Sequence, residues 1–107
     1  INEFGGEIPE TYGVPVEEIQ EGIRNGVRKI NVDTDNRLAI TGAIRKVLQQ
    51  NPSAFDPRDY MKPARAAMKE VVKARMIAFG QAGQADRVPH HSLEDMKRHY
   101  HEVNPAG

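Results

Sequence analysis

The 107-residue chain carries 15 Lys+Arg against 15 Asp+Glu, a formal net charge of +0, which excludes a strongly basic nucleic-acid binder and an acidic solvating tail. It has no cysteine, so disulfides, thiolate metal sites and a cysteine nucleophile are excluded too. Hydrophobic residues are 38% of the chain, below the roughly 45–50% of an ordinary domain, and a core made from this chain alone is thin.

No apolar run approaches the roughly 20 residues of a membrane span. The opening Ile1-Asn2-Glu3-Phe4 is neither a signal peptide nor a start at Met. It reads as the interior of a longer, cytoplasmic chain, with no membrane and no nucleic acid among its partners.

Residues 1–15 are punctuated by Gly5, Gly6, Pro9, Gly13 and Pro15 and are expected to form a surface loop. A helix is expected from Pro15, a favoured first helical residue because it lacks only an orphan N–H there. Val16, Ile19 and Ile23 share its apolar face, and Asn25-Gly26 ends it. Val27-Arg28-Lys29-Ile30-Asn31-Val32 is the one expected strand. Asp33-Thr34-Asp35 supplies three cap-competent side chains, and a helix over roughly 36–49 follows. Leu38, Thr41, Ile44, Val47 and Leu48 form its inner stripe, and Pro52 closes it.

Asp56-Pro57 opens a short turn over about 57–61, and Pro63 is expected to start a long helix to about Phe79. Met61, Ala64, Met68, Val71, Val72 and Phe79 form one stripe of it, and Lys62, Arg65, Lys69 and Lys73 a second, solvated one. Residues 80–91 read as a linker. Ser92 with Asp95 resembles a capping box, Asp standing in for Glu, and starts a last helix over about 93–101. Asn104-Pro105-Ala106-Gly107 is expected to be a frayed tail.

A lone strand cannot satisfy its own backbone groups. Either the domain is all-α, or the strand pairs with partners outside these residues. The order helix, strand, loop, helix favours the second, the grammar of an α/β fold, in which the C-terminal end of a strand faces the active site. That end is Asn31-Val32-Asp33-Thr34-Asp35. Asn31 and Asp33 are two apart and point the same way on an extended chain. Thr34 stands at the start of the next helix, where free N–H groups and the dipole suit a phosphate, and Arg37 offers a bidentate contact. An amide, a carboxylate and a phosphate cradle fit a small phosphorylated polyol or ketose. The same pattern also fits a plain helix cap, which is the commoner use of such residues. The pairs His90-His91 and His99-x-His101 read as solvated surface histidines, because helical metal pairs want i, i+4 spacing.

The blocks Tyr12-Gly13-Val14-Pro15-Val16-Glu17-Glu18-Ile19-Gln20 and Gly26-Val27-Arg28-Lys29-Ile30-Asn31-Val32-Asp33-Thr34-Asp35 resemble the class II, metal-dependent fructose-1,6-bisphosphate aldolases. So do Thr41-Gly42-Ala43-Ile44-Arg45, Phe55-Asp56-Pro57-Arg58 and Phe79-Gly80-Gln81-Ala82-Gly83-Gln84-Ala85. The similarity covers about residues 1–88 and looks nearest to the long form, which includes enzymes of the carbon-fixing reductive pentose phosphate cycle.

The resemblance implies a fold class of α/β. The chain would be the last strand-helix unit of a TIM (β/α)8 barrel plus a C-terminal helical extension. Residues 1–50 would be loop, helix, last strand and last barrel helix, and 51–107 the extension. It implies a lyase of glycolysis, gluconeogenesis and the Calvin cycle that cleaves fructose 1,6-bisphosphate reversibly to dihydroxyacetone phosphate and glyceraldehyde 3-phosphate. Asn31, Asp33 and Thr34 would bind the dihydroxyacetone-phosphate half, Thr34 at its phosphate. Arg37 matches an arginine that reaches the neighbouring subunit's site, and Asp56 and Arg58 a loop pair at the far end of the substrate, Arg58 near the second phosphate. Implied cofactors are Zn2+, its histidine ligands expected upstream of residue 1, and a monovalent cation near the substrate phosphate. Implied partners are phosphorylated ketose and aldose substrates and further copies in a homodimer or homotetramer. The catalytic aspartate is also expected upstream, so no catalytic residue or metal ligand is assigned here and the segment alone is expected to be inactive. Rival readings are a tagatose- or sedoheptulose-bisphosphate aldolase and, more remotely, a small all-α interaction or DNA-binding module.

Overall fold

A computed structural model of the chain describes residues 1–11 and 13–105. Tyr12, in the longest motif block, and Ala106-Gly107 of the expected tail lie outside the described residues. The described chain holds four α-helices: α1 (Val16–Arg24), α2 (Thr34–Gln50), α3 (Pro57–Ala78) and α4 (Leu93–Val103). Short 3-10 turns occupy Asn2–Phe4 and Ala85–Arg87.

Each helix end has a local cause. Pro15 stands just outside α1 rather than inside it, with ψ 147, and its carbonyl accepts from the Ile19 N–H at 3.1 Å. Gly26 follows the other end at φ 105. The Gly26 N–H reaches the Ile23 carbonyl at 3.2 Å and the Val27 N–H the Gly22 carbonyl at 2.9 Å. This paired closure satisfies two orphan carbonyls and needs a left-handed residue. Gly80, at φ 77, closes α3 the same way, with the Gln81 N–H on the Met76 carbonyl at 2.9 Å. At α4 the capping box forms in full: the Asp95 N–H donates to Ser92 Oγ and the Ser92 N–H to Asp95 Oδ2, both at 3.1 Å.

Two expectations are corrected. Residues 27–32 form no strand among the described residues: the stretch has no neighbour to build a ladder with, and a strand is defined by that ladder. And α3 begins at Pro57, not Pro63, which lies inside it. Pro63 removes one backbone hydrogen bond. The helix runs on because Asp56 caps its start, accepting the Arg58 N–H at 2.9 Å, and because Ala64, one residue further, is its most deeply packed position.

The helices α2 and α3 form an antiparallel hairpin closed by residues 51–56. Leu38, Thr41, Ile44 and Val47 of the expected stripe are half-buried, whereas Leu48 is exposed. On α3, Met68, Val71 and Phe79 are half-buried but Met61 and Val72 are exposed, since α2 covers only one side of the helix. Ala64, at 1% exposure, is the only fully buried hydrophobic residue described. The first residues lie along α2, where Arg45 Nη1 donates to the Gly5 carbonyl at 2.8 Å. At the other end of the hairpin α1 is tied to α3 by Gln20 Nε2, which donates to the Ala78 carbonyl at 3.0 Å.

Candidate functional site

The loop after α1 and the start of α2 face the end of α3 across a cleft of about 480 Å³. Its walls are residues 13–16 with Ile19, residues 30–35, and Arg75 and Phe79 of α3 and its cap. Three of the sequence-predicted residues, Asn31, Asp33 and Thr34, line it together. Thr34 is the first residue of α2, so the cleft opens beside N–H groups that have no carbonyl partner within the helix.

Asp33 occupies the cap position of α2 but makes no side-chain capping bond. Its Oδ1 instead accepts from Arg37 Nε at 2.9 Å, one helical turn on. Both side chains remain open to solvent, Arg37 at 77% and Asp33 at 67% exposure. Arg37 is therefore joined to the cleft through Asp33 and is not one of its lining residues. Asn31 Oδ1 accepts from Lys29 Nζ.

Asp56 and Arg58 lie elsewhere. They sit at the start of α3, beyond the far end of α2, and a helix of 17 residues spans about 25 Å. Arg58 folds back onto its own cap: Nε lies 3.0 Å from both carboxylate oxygens of Asp56, and Nη2 is 2.5 Å from Oδ2. The Arg58 guanidinium and backbone N–H hold the Asp56 carboxyl below the usual carboxylate range, and Asp56 in turn raises Arg58. The predicted residues thus fall into two groups that this chain does not bring together.

Two long-range ties, one of them from a residue of the cleft wall, carry no signal in the sequence. Arg75 lines the cleft and binds Asp35 from 40 positions away, Nη2 to Oδ2 at 2.5 Å and Nε to Oδ2 at 3.2 Å. Gln20 ties α1 to α3 from 58 positions away. Neither has a local pattern to announce it. His90, His91, His99 and His101 are exposed, and His99 meets Tyr100 edge to face at 5.8 Å. Among the described residues no group of three or more His, Cys, Asp or Glu could hold a metal ion. The residues present do not fit a zinc centre. No helix among the described residues is long and apolar enough to cross a membrane.

Comparison with known proteins gives the family of the chain. Residues 10–84 match the family model "Fructose-bisphosphate aldolase class-II". The chain belongs to the class II fructose-bisphosphate aldolase family, whose fold is a TIM barrel. Over 100 residues, 94% of the chain, it is 61% identical to a fructose-bisphosphate aldolase of Pseudomonas aeruginosa and 57% identical to one of a Nostoc species. It spans 28% of the length of each of these relatives. It is also 52% identical, over 94% of itself and 88% of the relative, to "Fructose-bisphosphate aldolase 2" of Rhodobacter capsulatus.

Proposed function

We propose that this chain forms part of an enzyme that cleaves fructose 1,6-bisphosphate reversibly into dihydroxyacetone phosphate and glyceraldehyde 3-phosphate. The observation that carries the reading is one cleft holding Asn31, Asp33 and Thr34 beside the N-terminus of α2, in a chain of the class II family. The Asn31 amide and the Asp33 carboxylate suit ketose hydroxyls. Thr34 and the free N–H groups of the first turn suit the adjoining phosphate. Arg37, exposed and not among the residues that line the cleft, is the residue offered to a neighbouring subunit's site in a homodimer or homotetramer, and Arg58 the one offered to the second phosphate.

In the whole barrel, residues 27–32 serve as the last strand, paired with neighbours outside this chain. Residues 1–50 close the barrel and 51–107 form the helical extension. The zinc ion of the family is held by residues outside this chain, and a monovalent cation sits near the substrate phosphate. A cytoplasmic location fits phosphorylated substrates. The test is the full-length enzyme carrying this segment. It should cleave fructose 1,6-bisphosphate in preference to tagatose or sedoheptulose bisphosphate, and an Asn31→Ala, Thr34→Val variant should raise KM for the bisphosphate at least tenfold. Cleavage unchanged by that double substitution would remove the site.

A further inference from the structure

The ion pair between Arg75 and Asp35 is the one long-range ion pair among the described residues. The other pairs join residues two, three or four apart in sequence. It is also the most sheltered, with Arg75 at 27% exposure and Asp35 at 42%. Two features set its place. Asp35 directly follows Thr34 in the first turn of α2, and Arg75, in the last turn of α3, also lines the cleft. We infer that Arg75 is a positioning residue: by binding Asp35 with two guanidinium N–H groups, it fixes the first turn of α2, and with it Thr34 and Asp33, against the end of α3.

The physical case starts from what else holds that turn. Asp33 makes no capping bond, and its carboxylate is spent on Arg37, a neighbour in the same helix that anchors nothing outside it. Asn36 Nδ2 donates to the Val32 carbonyl at 3.2 Å, a local bond that shapes the turn without fixing it in space. The tie to another element comes from Arg75. An arginine fork restricts direction as well as distance, where an ammonium acts as a point charge. Because the pair joins α2 to α3 at the cleft wall, its loss frees the start of α2 to shift relative to the cleft. A misplacement of about 1 Å at a reacting group costs on the order of 100-fold in rate.

This inference rests on the proposed aldolase reading, and the experiment separates the two. In the full-length enzyme, Arg75→Met, Asp35→Asn, their combination and the conservative Arg75→Lys are compared in the condensation direction. Each single variant should raise KM for dihydroxyacetone phosphate about tenfold and leave KM for glyceraldehyde 3-phosphate within twofold. The combination should lose no more than either single variant, because both remove the same tie. Arg75→Lys, which keeps the charge and loses the fork, should fold normally and still raise the same KM severalfold. Losses that multiply in the combination would make Arg75 a direct substrate contact and overturn the positioning role. So would variants that melt earlier with both KM values unchanged, which marks a merely structural pair, and so would single variants within twofold of the parent. An unmodified full-length enzyme with no aldolase activity would overturn the proposed function itself, and this inference with it.

Discussion

At the scale of single residues, an acidic side chain at a helix start is used in three different ways. Asp56 caps α3 through the Arg58 N–H. Asp95 completes a reciprocal box with Ser92. Asp33 stands at the cap position of α2 and caps nothing, its carboxylate turned to Arg37. Only Oδ1 takes that bond, and the Asp33 side chain is 67% exposed, so the carboxylate can still accept from a ligand. In the full-length enzyme, Asp33→Ala should lower turnover on the order of 100-fold while the melting midpoint stays within a degree or two. Steady-state kinetics and thermal melting on one preparation check it, and a lower midpoint with normal turnover would make Asp33 a structural residue. Arg58 poses the opposite question, since Asp56 already occupies its fork. Binding the second phosphate requires Arg58 to share or leave that carboxylate. Arg58→Ala should still weaken use of the bisphosphate about ten- to a hundredfold, as expected for a charged hydrogen bond, and spare a substrate lacking the second phosphate. Equal losses on both would withdraw the assignment.

At the scale of elements, pH reaches the helix starts through these caps. Asp56 and Asp95 are both held below the usual carboxylate range by hydrogen bonds, from Arg58 and Ser92 respectively. A carboxyl whose folded pKa is depressed contributes stability that is fully present above its unfolded pKa and lost as pH falls through the folded one. Acid should therefore fray the starts of α3 and α4 below the usual carboxylate range, and nothing in these two groups predicts a change between pH 6 and 8. The element that shows it most is α4, because it has only 11 residues and isolated helices that short are marginal in water. Ser92→Ala should cost about 1 kcal/mol of that helix, seen as faster amide exchange over 93–103 with exchange in α2 and α3 unchanged. The helices were legible in the sequence because their signals are local: the Ser92–Asp95 spacing, Gly26 and Gly80, the stripe through Leu38 and Ile44. Pro63 misled because a proline signals a start only where packing does not carry the helix past it. The ties from Arg75 to Asp35 and from Gln20 to Ala78 were invisible for the opposite reason, since contacts 40 and 58 residues apart leave no periodicity to find. Asn31, Asp33 and Thr34 could be grouped beforehand because they are near neighbours in the chain. Grouping Asp56 and Arg58 with them rests on family resemblance alone, since neither lines the cleft.

At the scale of the whole molecule, the chain is more extended than a compact domain of its length. Its radius of gyration is 19.8 Å, against about 13 Å for a compact domain of this length. Its accessible surface is 8981 Å², against about 6,000 Å² for a 12 kDa globular monomer. Met61, Val72, Met76 and Ile77 on α3, and Leu93, Tyr100 and Val103 on α4, remain exposed, so apolar faces are made that this chain does not itself cover. The 107-residue chain in isolation should consequently melt over a broad range, without the sharp transition and large heat-capacity change that core burial produces. Residual helicity should reside in the α2–α3 hairpin, the only pair of α-helices in extensive contact among the described residues. Differential scanning calorimetry with far-UV circular dichroism checks this. The expected result is a dichroism signal that declines gradually on heating, with no cooperative calorimetric peak. A single sharp transition, with calorimetric and van't Hoff enthalpies in agreement, would instead identify an independently folding all-α module. The cleft beside Asn31, Asp33 and Thr34 would then have to be explained without the rest of a barrel around it.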